Sequence, residues 1–113
     1  MLLADIEPMI AEIGLPYAYY AFTKQTAKAP PYVVYYTPGH DDLFADNINY
    51  QKILQLRIEL YTKTKRYDIE AEVEEVLRDH EITYTVTEDF VETDGVFMIT
   101  YDMEVLIHGS KQG

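Results

Sequence analysis

The sequence predicts an α+β domain: a mainly antiparallel sheet of about five strands, in the order α-β-β-β-α-β-β, with two helices packed on one face. Three observations carry this expectation. In residues 50–62, Leu54, Leu56, Ile58 and Leu60 alternate with Gln55, Arg57, Glu59 and Tyr61, the period of a strand with one face on a core. In residues 68–80, Ile69, Val73, Val76, Leu77 and His80 share a helical face while Glu70, Glu72, Glu74 and Glu75 lie mostly away from it. Eleven tyrosines in 113 residues suit strand faces and interfaces, because tyrosine joins an apolar body to a hydroxyl.

The elements follow in chain order. Residues 2–13 carry Leu2, Leu3, Ile6, Met9, Ile10 and Ile13 at three- and four-residue intervals, an amphipathic helix with Pro8 in its first turn and Asp5 or Glu7 near the cap. Gly14 and Pro16 supply the stop. Residues 17–23 and 32–37 are aromatic and β-branched, so they read as strands. The polar stretch 24–31, ending in Pro30 and Pro31, has the length of a flexible hairpin loop between them. Thr37-Pro38-Gly39-His40-Asp41-Asp42 is a turn cluster. After the strand at 50–62 and the helix at 68–80, residues 82–87 and 96–107 form a closing pair of strands joined by an acidic turn ending in Thr93-Asp94-Gly95. The domain is expected over residues 1–108, with 109–113 a disordered tail.

One face of such a sheet is dry beneath the helices. The other is expected to expose some of Tyr17, Tyr19, Tyr35, Tyr61, Met98 and Leu106, more apolar surface than a small monomer shelters, and oligomerisation is the natural inference.

Composition excludes several classes of function. The net charge of −11, from 20 acidic and 9 basic side chains, repels nucleic-acid phosphate over the general surface, and no sequence-specific nucleic-acid binding is expected. The absence of cysteine removes disulfides, thiolate ligands and thiol nucleophiles together. No apolar run approaches the roughly 20 residues of a membrane span. Asp5 and Glu7 stand where a secretory signal carries Lys or Arg. The expectation is a soluble, cytosolic chain with no membrane partner.

The residues that carry chemistry do not assemble into a motif. His40, His80 and His108 are far apart in sequence and on different elements, with no zinc-ligand spacing. His80 reads as a helix-end residue and His108 as part of the tail. His40 beside Asp41 and Asp42 is the one candidate for acid–base or metal chemistry, and ordinary for a turn. Asp41, Asp42, Asp46 and Asn47 supply oxygens, but without the central glycine and terminal glutamate of an EF-hand. The single serine, Ser110, falls in the tail and lacks the rigid turn and neighbouring base that a nucleophile needs. Glu70, Glu72, Glu74 and Glu75 read as a solvated helix face, with docking to a basic partner as the alternative. No catalytic, cofactor-binding or metal residue is assigned, no cofactor is expected, and the chain reads as a non-enzyme.

Several stretches resemble a known group. These are Leu15-Pro16-Tyr17-Ala18-Tyr19-Tyr20-Ala21-Phe22, Pro30-Pro31-Tyr32-Val33-Val34-Tyr35-Tyr36, Phe44-Ala45-Asp46-Asn47, Tyr50, Ile58-Glu59-Leu60-Tyr61-Thr62-Lys63 and Tyr101-Asp102-Met103-Glu104-Val105. Together with element order, size and acidity, they make residues 10–107 resemble the small tail-assembly proteins of long-tailed, siphovirus-type phages and prophages of Gram-positive bacteria. Within that group the chain is most similar to a tail terminator, also called a tail-completion or head–tail joining protein.

The resemblance implies a homo-oligomeric ring, usually a hexamer, that caps the tail tube and meets a head-completion or connector protein. It implies assembly in the host bacterial cytoplasm and a place in the virion tail. A head-completion adaptor, or a small acidic protein-binding module, is the alternative. The expected subunit or partner interface comprises Tyr19, Tyr35, Phe44, Asp46, Asn47 and Tyr61. Acid lining a ring would let DNA pass without phosphate contacts.

Overall fold

A computed structural model describes residues 1–45 and 49–107, and for 39–45 and 49–52 it describes the backbone alone. The chain is α+β, with a five-stranded mixed sheet and two α-helices in the expected order. A 3-10 turn, Leu3–Asp5, leads into α1, Ile6–Ala11; then come β1, Tyr17–Tyr19; β2, Tyr32–Ala45; β3, Asn49–Thr62; α2, Tyr67–Asp79; β4, Tyr84–Val91; and β5, Val96–Ile107. The sheet order is β1-β2-β3-β5-β4. The β2–β3, β3–β5 and β4–β5 pairs are antiparallel. Because β5 lies antiparallel between β3 and β4, those two run the same way, and β3-α2-β4 is a split β-α-β crossover.

The alternation in β3 sets the layers. Leu54, Leu56, Ile58 and Leu60 are buried with Val105, Met103, Tyr101 and Ile99, their register partners on β5. Onto this face pack Ile6, Met9, Ile10 and Ile13 from the N-terminal helical region, and Ile69, Val73, Val76 and Leu77 from α2. α1 is shorter than the apolar stripe suggests. Residues 3–5 wind into the 3-10 turn, where the Leu2 N–H donates to the Asp5 carboxylate at 2.9 Å, and Gly14 closes the far end with φ of +86°, a conformation glycine adopts without Cβ strain.

Three expectations about the strands need correction. First, residues 24–31 do not form a hairpin loop. β1 stops at Tyr19 and pairs with β2 in parallel, Tyr17 opposite Val33 and Tyr19 opposite Tyr35. The connection therefore crosses the face opposite the helices, where Phe22 packs edge-on against Tyr32 at 5.1 Å. Parallel neighbours require such a crossover, and it shields the outward-facing Val34, which is buried.

Second, residues 37–42 are no turn but continue β2. The register shifts between Tyr36 and Gly39, so Thr37 and Pro38 together stand opposite Leu56. That is a β-bulge, the place in a sheet where a residue without a backbone donor is tolerated. Third, β4 begins at Tyr84 and runs on to Val91, with its turn confined to residues 92–95.

Beyond Lys52, which pairs with Ile107, β3 is bonded only to β2 among the described residues, from Leu43↔Gln51 to Ala45↔Asn49. The two strands thus project as an arm. The radius of gyration of 15.4 Å exceeds the roughly 13 Å of a compact domain near this size. The tail at 109–113 and His108 lie outside the described residues.

The sheet–helix layer predicts a sharp contrast between two substitutions. Leu77→Ala, at a fully buried site, is expected to cost about 2–5 kcal/mol in urea unfolding. Val86→Ala, on an exposed position of β4, should stay within about 0.5 kcal/mol.

Candidate subunit interface

The tyrosines divide between the two faces of the sheet. Tyr17, Tyr19 and Tyr35 lie on the helix-covered face. The Tyr19 ring meets Tyr35 edge-on at 5.2 Å, and Tyr17 stands 6.3 Å from Tyr35. The Tyr17 hydroxyl donates to Glu7 at 3.1 Å, tying β1 to α1. Tyr35 is only 9% exposed and belongs to the core, not to the outer face where it was expected. Tyr17 is on the covered face as well. Tyr19 is 54% exposed at the free edge of the sheet, with its hydroxyl 3.1 Å from that of Thr37.

The opposite face carries the second group. Tyr32 and Tyr61 stack at 5.0 Å, and Tyr20 lies 4.9 Å from Tyr36. Between these pairs runs a chain of polar contacts: Tyr61 and Tyr36 donate to the two oxygens of Glu59 at 2.7 and 3.0 Å. Arg57 donates to the Tyr36 hydroxyl at 3.2 Å and to Asp102 at 2.7 Å. Gln55, Thr100 and Glu104 continue this face along β3 and β5. Its centre is therefore polar, contrary to the apolar face that was expected, and Arg57, Asp102 and Thr85 line an open groove of about 630 Å³ there. Burial, then the bond and charge of Glu59, push the Tyr61 hydroxyl well above its ordinary titration range.

Unshielded apolar groups lie elsewhere, chiefly at the margins. Tyr19 and Tyr20 stand at the β1 edge, Val86 and Phe90 on β4, and Leu106 near the end of β5. On β4, Val86 and Phe90 share the helix-covered side with Tyr101 and Phe97 but lie past the shelter of α2. Beside them the Lys65 ammonium bridges Glu70, at 2.8 Å, and Glu88, and sits over the Tyr67 ring. This contact joins the β3–α2 connection to β4.

The remaining expected interface residues fall as follows. Phe44 is paired through its backbone with Tyr50 in the β2–β3 arm, and Asp46 and Asn47 lie outside the described residues. Of the histidines, His80 caps the end of α2 and bonds Glu12 at 3.1 Å, joining the two helical segments; the backbone of His40 is part of β2. Among the described residues no three potential ligands cluster as a metal site, and no helix is long and apolar enough to cross a membrane. No protein-family model matches the chain, and no curated protein matches it significantly.

Sequence reasoning missed the β4 edge. Its alternation is weak, and only the pairing with β5 reveals that Val86 and Phe90 share a face.

A titration tests the polar network. In the folded chain the Tyr61 hydroxyl stays protonated past about pH 10, the ordinary tyrosine value. The stability this confers is full below that pH and lost as pH rises further. Glu59→Gln should lower the Tyr61 midpoint in ¹³C NMR of the tyrosine ring carbons, and an unchanged midpoint would remove Glu59 as a cause.

Proposed function

We propose that this chain is a non-enzymatic tail-assembly protein of a phage or prophage, whose copies close into a ring, of hexameric size, that caps the tail tube and contributes to the head–tail junction. Its partners are then further copies of itself, the tail tube protein and a head-completion or connector protein. It acts in the host bacterial cytoplasm during assembly and ends in the virion.

The observation that carries this proposal is the placement of apolar groups. Helices shelter one face of the sheet, the other is polar at its centre, and the unshielded Tyr19, Tyr20, Val86 and Phe90 stand at its two edges. A ring subunit needs two different surfaces on opposite sides, because heterologous contacts close a cycle. The projecting β2–β3 arm adds a third surface, suited to reaching a neighbour or the tube. The resemblance of residues 10–107 to tail terminators gives these features their context. Turned toward a lumen, the face bearing Glu59, Asp102 and Glu104 would repel DNA phosphate and let the genome slide.

The acidic side of α2 favours a second reading, a small module that docks a basic partner. Glu72, Glu75 and Asp79 lie with Glu12 around one surface hollow, and such an attraction weakens steeply with salt.

Added to polymerising tail-tube protein, the purified chain is expected to shorten the tubes and to appear at one end of each by electron microscopy. Tubes of unchanged length with bare ends would contradict the capping role. Salt-sensitive binding to a basic protein without any effect on tubes would favour the module.

A further inference from the structure

We propose that the ring is closed by sheet continuation: β4 of one copy pairs antiparallel with β1 of the next, so that one sheet runs through neighbouring copies with the helices on a single side. This rests on the ring reading and names its interface.

The two free edges match in direction. β1 runs with β2, and each later step, β2 to β3, β3 to β5 and β5 to β4, reverses the chain. β1 and β4 are therefore antiparallel, and an incoming β1 continues the existing alternation without inverting a copy.

They also match in face. Tracing the register across the sheet, Tyr19 is level with Tyr35, Ile58, Tyr101 and Val86, and Ala18 with Val34, Glu59, Thr100 and Thr87. Joined edge to edge, the exposed Tyr19 of one copy and the exposed Val86 and Phe90 of the other fall on the same side. Each then covers apolar surface that its own helices leave open.

The backbone is ready for the contact. The Pro16 carbonyl and the Tyr20 N–H both bond β2, so alternation turns the N–H groups of Tyr17 and Tyr19 outward. Tyr20, with φ of +74°, ends the strand there. β4 is an eight-residue edge with no proline, no lysine and an unbroken register. It thus lacks several of the usual devices that keep an edge from pairing.

Charge selects the partner. Two β4 strands side by side would bring Glu88 and Asp89 of both copies together, and like charges across a strand pair are unfavourable. The β1 segment Tyr17-Ala18-Tyr19 is uncharged. β4 therefore favours the β1 edge of another copy over a second β4.

The chain has no cysteine, so engineered ones report without background. Ala18→Cys is mixed under mild oxidation with each of Thr85→Cys, Thr87→Cys and Asp89→Cys, three same-face positions that allow for a register offset in a curved sheet. The expected result is a disulfide-linked mixed dimer with at least one of the three, and a ladder of covalent oligomers when both cysteines of that pair are placed in one chain. Val86→Lys, checked for an intact fold by circular dichroism, should weaken self-association at least about tenfold.

Dimers of Thr87→Cys alone, with none in the mixtures, would overturn the pairing in favour of β4 against β4. Rings seen by native mass spectrometry but without any edge cross-link, or unaffected by Val86→Lys, would overturn sheet continuation while leaving the ring intact. Cysteine-pair variants that cap tube ends yet give no cross-link even there would do the same. A chain that neither self-associates at millimolar concentration nor caps tubes would defeat both.

Discussion

Everything in this molecule is arranged around the alternation of β3. Leu54, Leu56, Ile58 and Leu60 commit one side of the sheet to the dry layer, and the period of two leaves Gln55, Arg57, Glu59 and Tyr61 on the other. A one-residue slip would exchange these sets, so β3 fixes the register of β2 and β5, and through β5 that of β4. The helices have a single place to go. The stripe of α2 and the apolar residues around α1 cover the same side, and the charges they carry on their far faces give the domain much of its acidity.

Two helical segments do not cover a five-stranded sheet from edge to edge. The shortfall appears where the geometry dictates: at β1, where the sheet extends past α1, and at β4, where it extends past α2. Lys65 partly closes the β4 side by bridging Glu70 and Glu88, yet Val86 and Phe90 remain 44% and 51% exposed. The unshielded apolar surface thus lies chiefly at the edges of the sheet and not on its open face, whose centre is satisfied by the Arg57–Asp102 and Tyr–Glu59 contacts. Edges impose direction and register on any partner, whereas a flat apolar face imposes neither.

The parts legible in the sequence are those governed by one local period. β3 and α2 are written in spacings of two and of three to four, and β5 and the order of elements follow from turn signals beside them. What escaped depends on contacts distant in the chain. Nothing in residues 17–37 distinguishes a hairpin from a parallel crossover, because the choice rests on Phe22 and Val34 packing across the far face. Pro38-Gly39 has the composition of a turn, and only the ladder to β3 makes it a bulge. Tyr35 sits in an aromatic run whose parity is ambiguous until Ile58 is opposite it. Of the expected interface residues, Tyr19 and Tyr61 are accessible parts of the surface, while Tyr35 is part of the core.

Hydrogen exchange along β4 as a function of protein concentration tests the central claim, that assembly is driven at the sheet edges, most directly. The β4 amides that do not bond β5 face solvent in a lone copy and should exchange quickly in dilute protein. At concentrations where copies associate, those same amides should become protected together with the amides of Tyr17 and Tyr19. Association that leaves both edges exchanging as fast as in dilute solution would contradict the account.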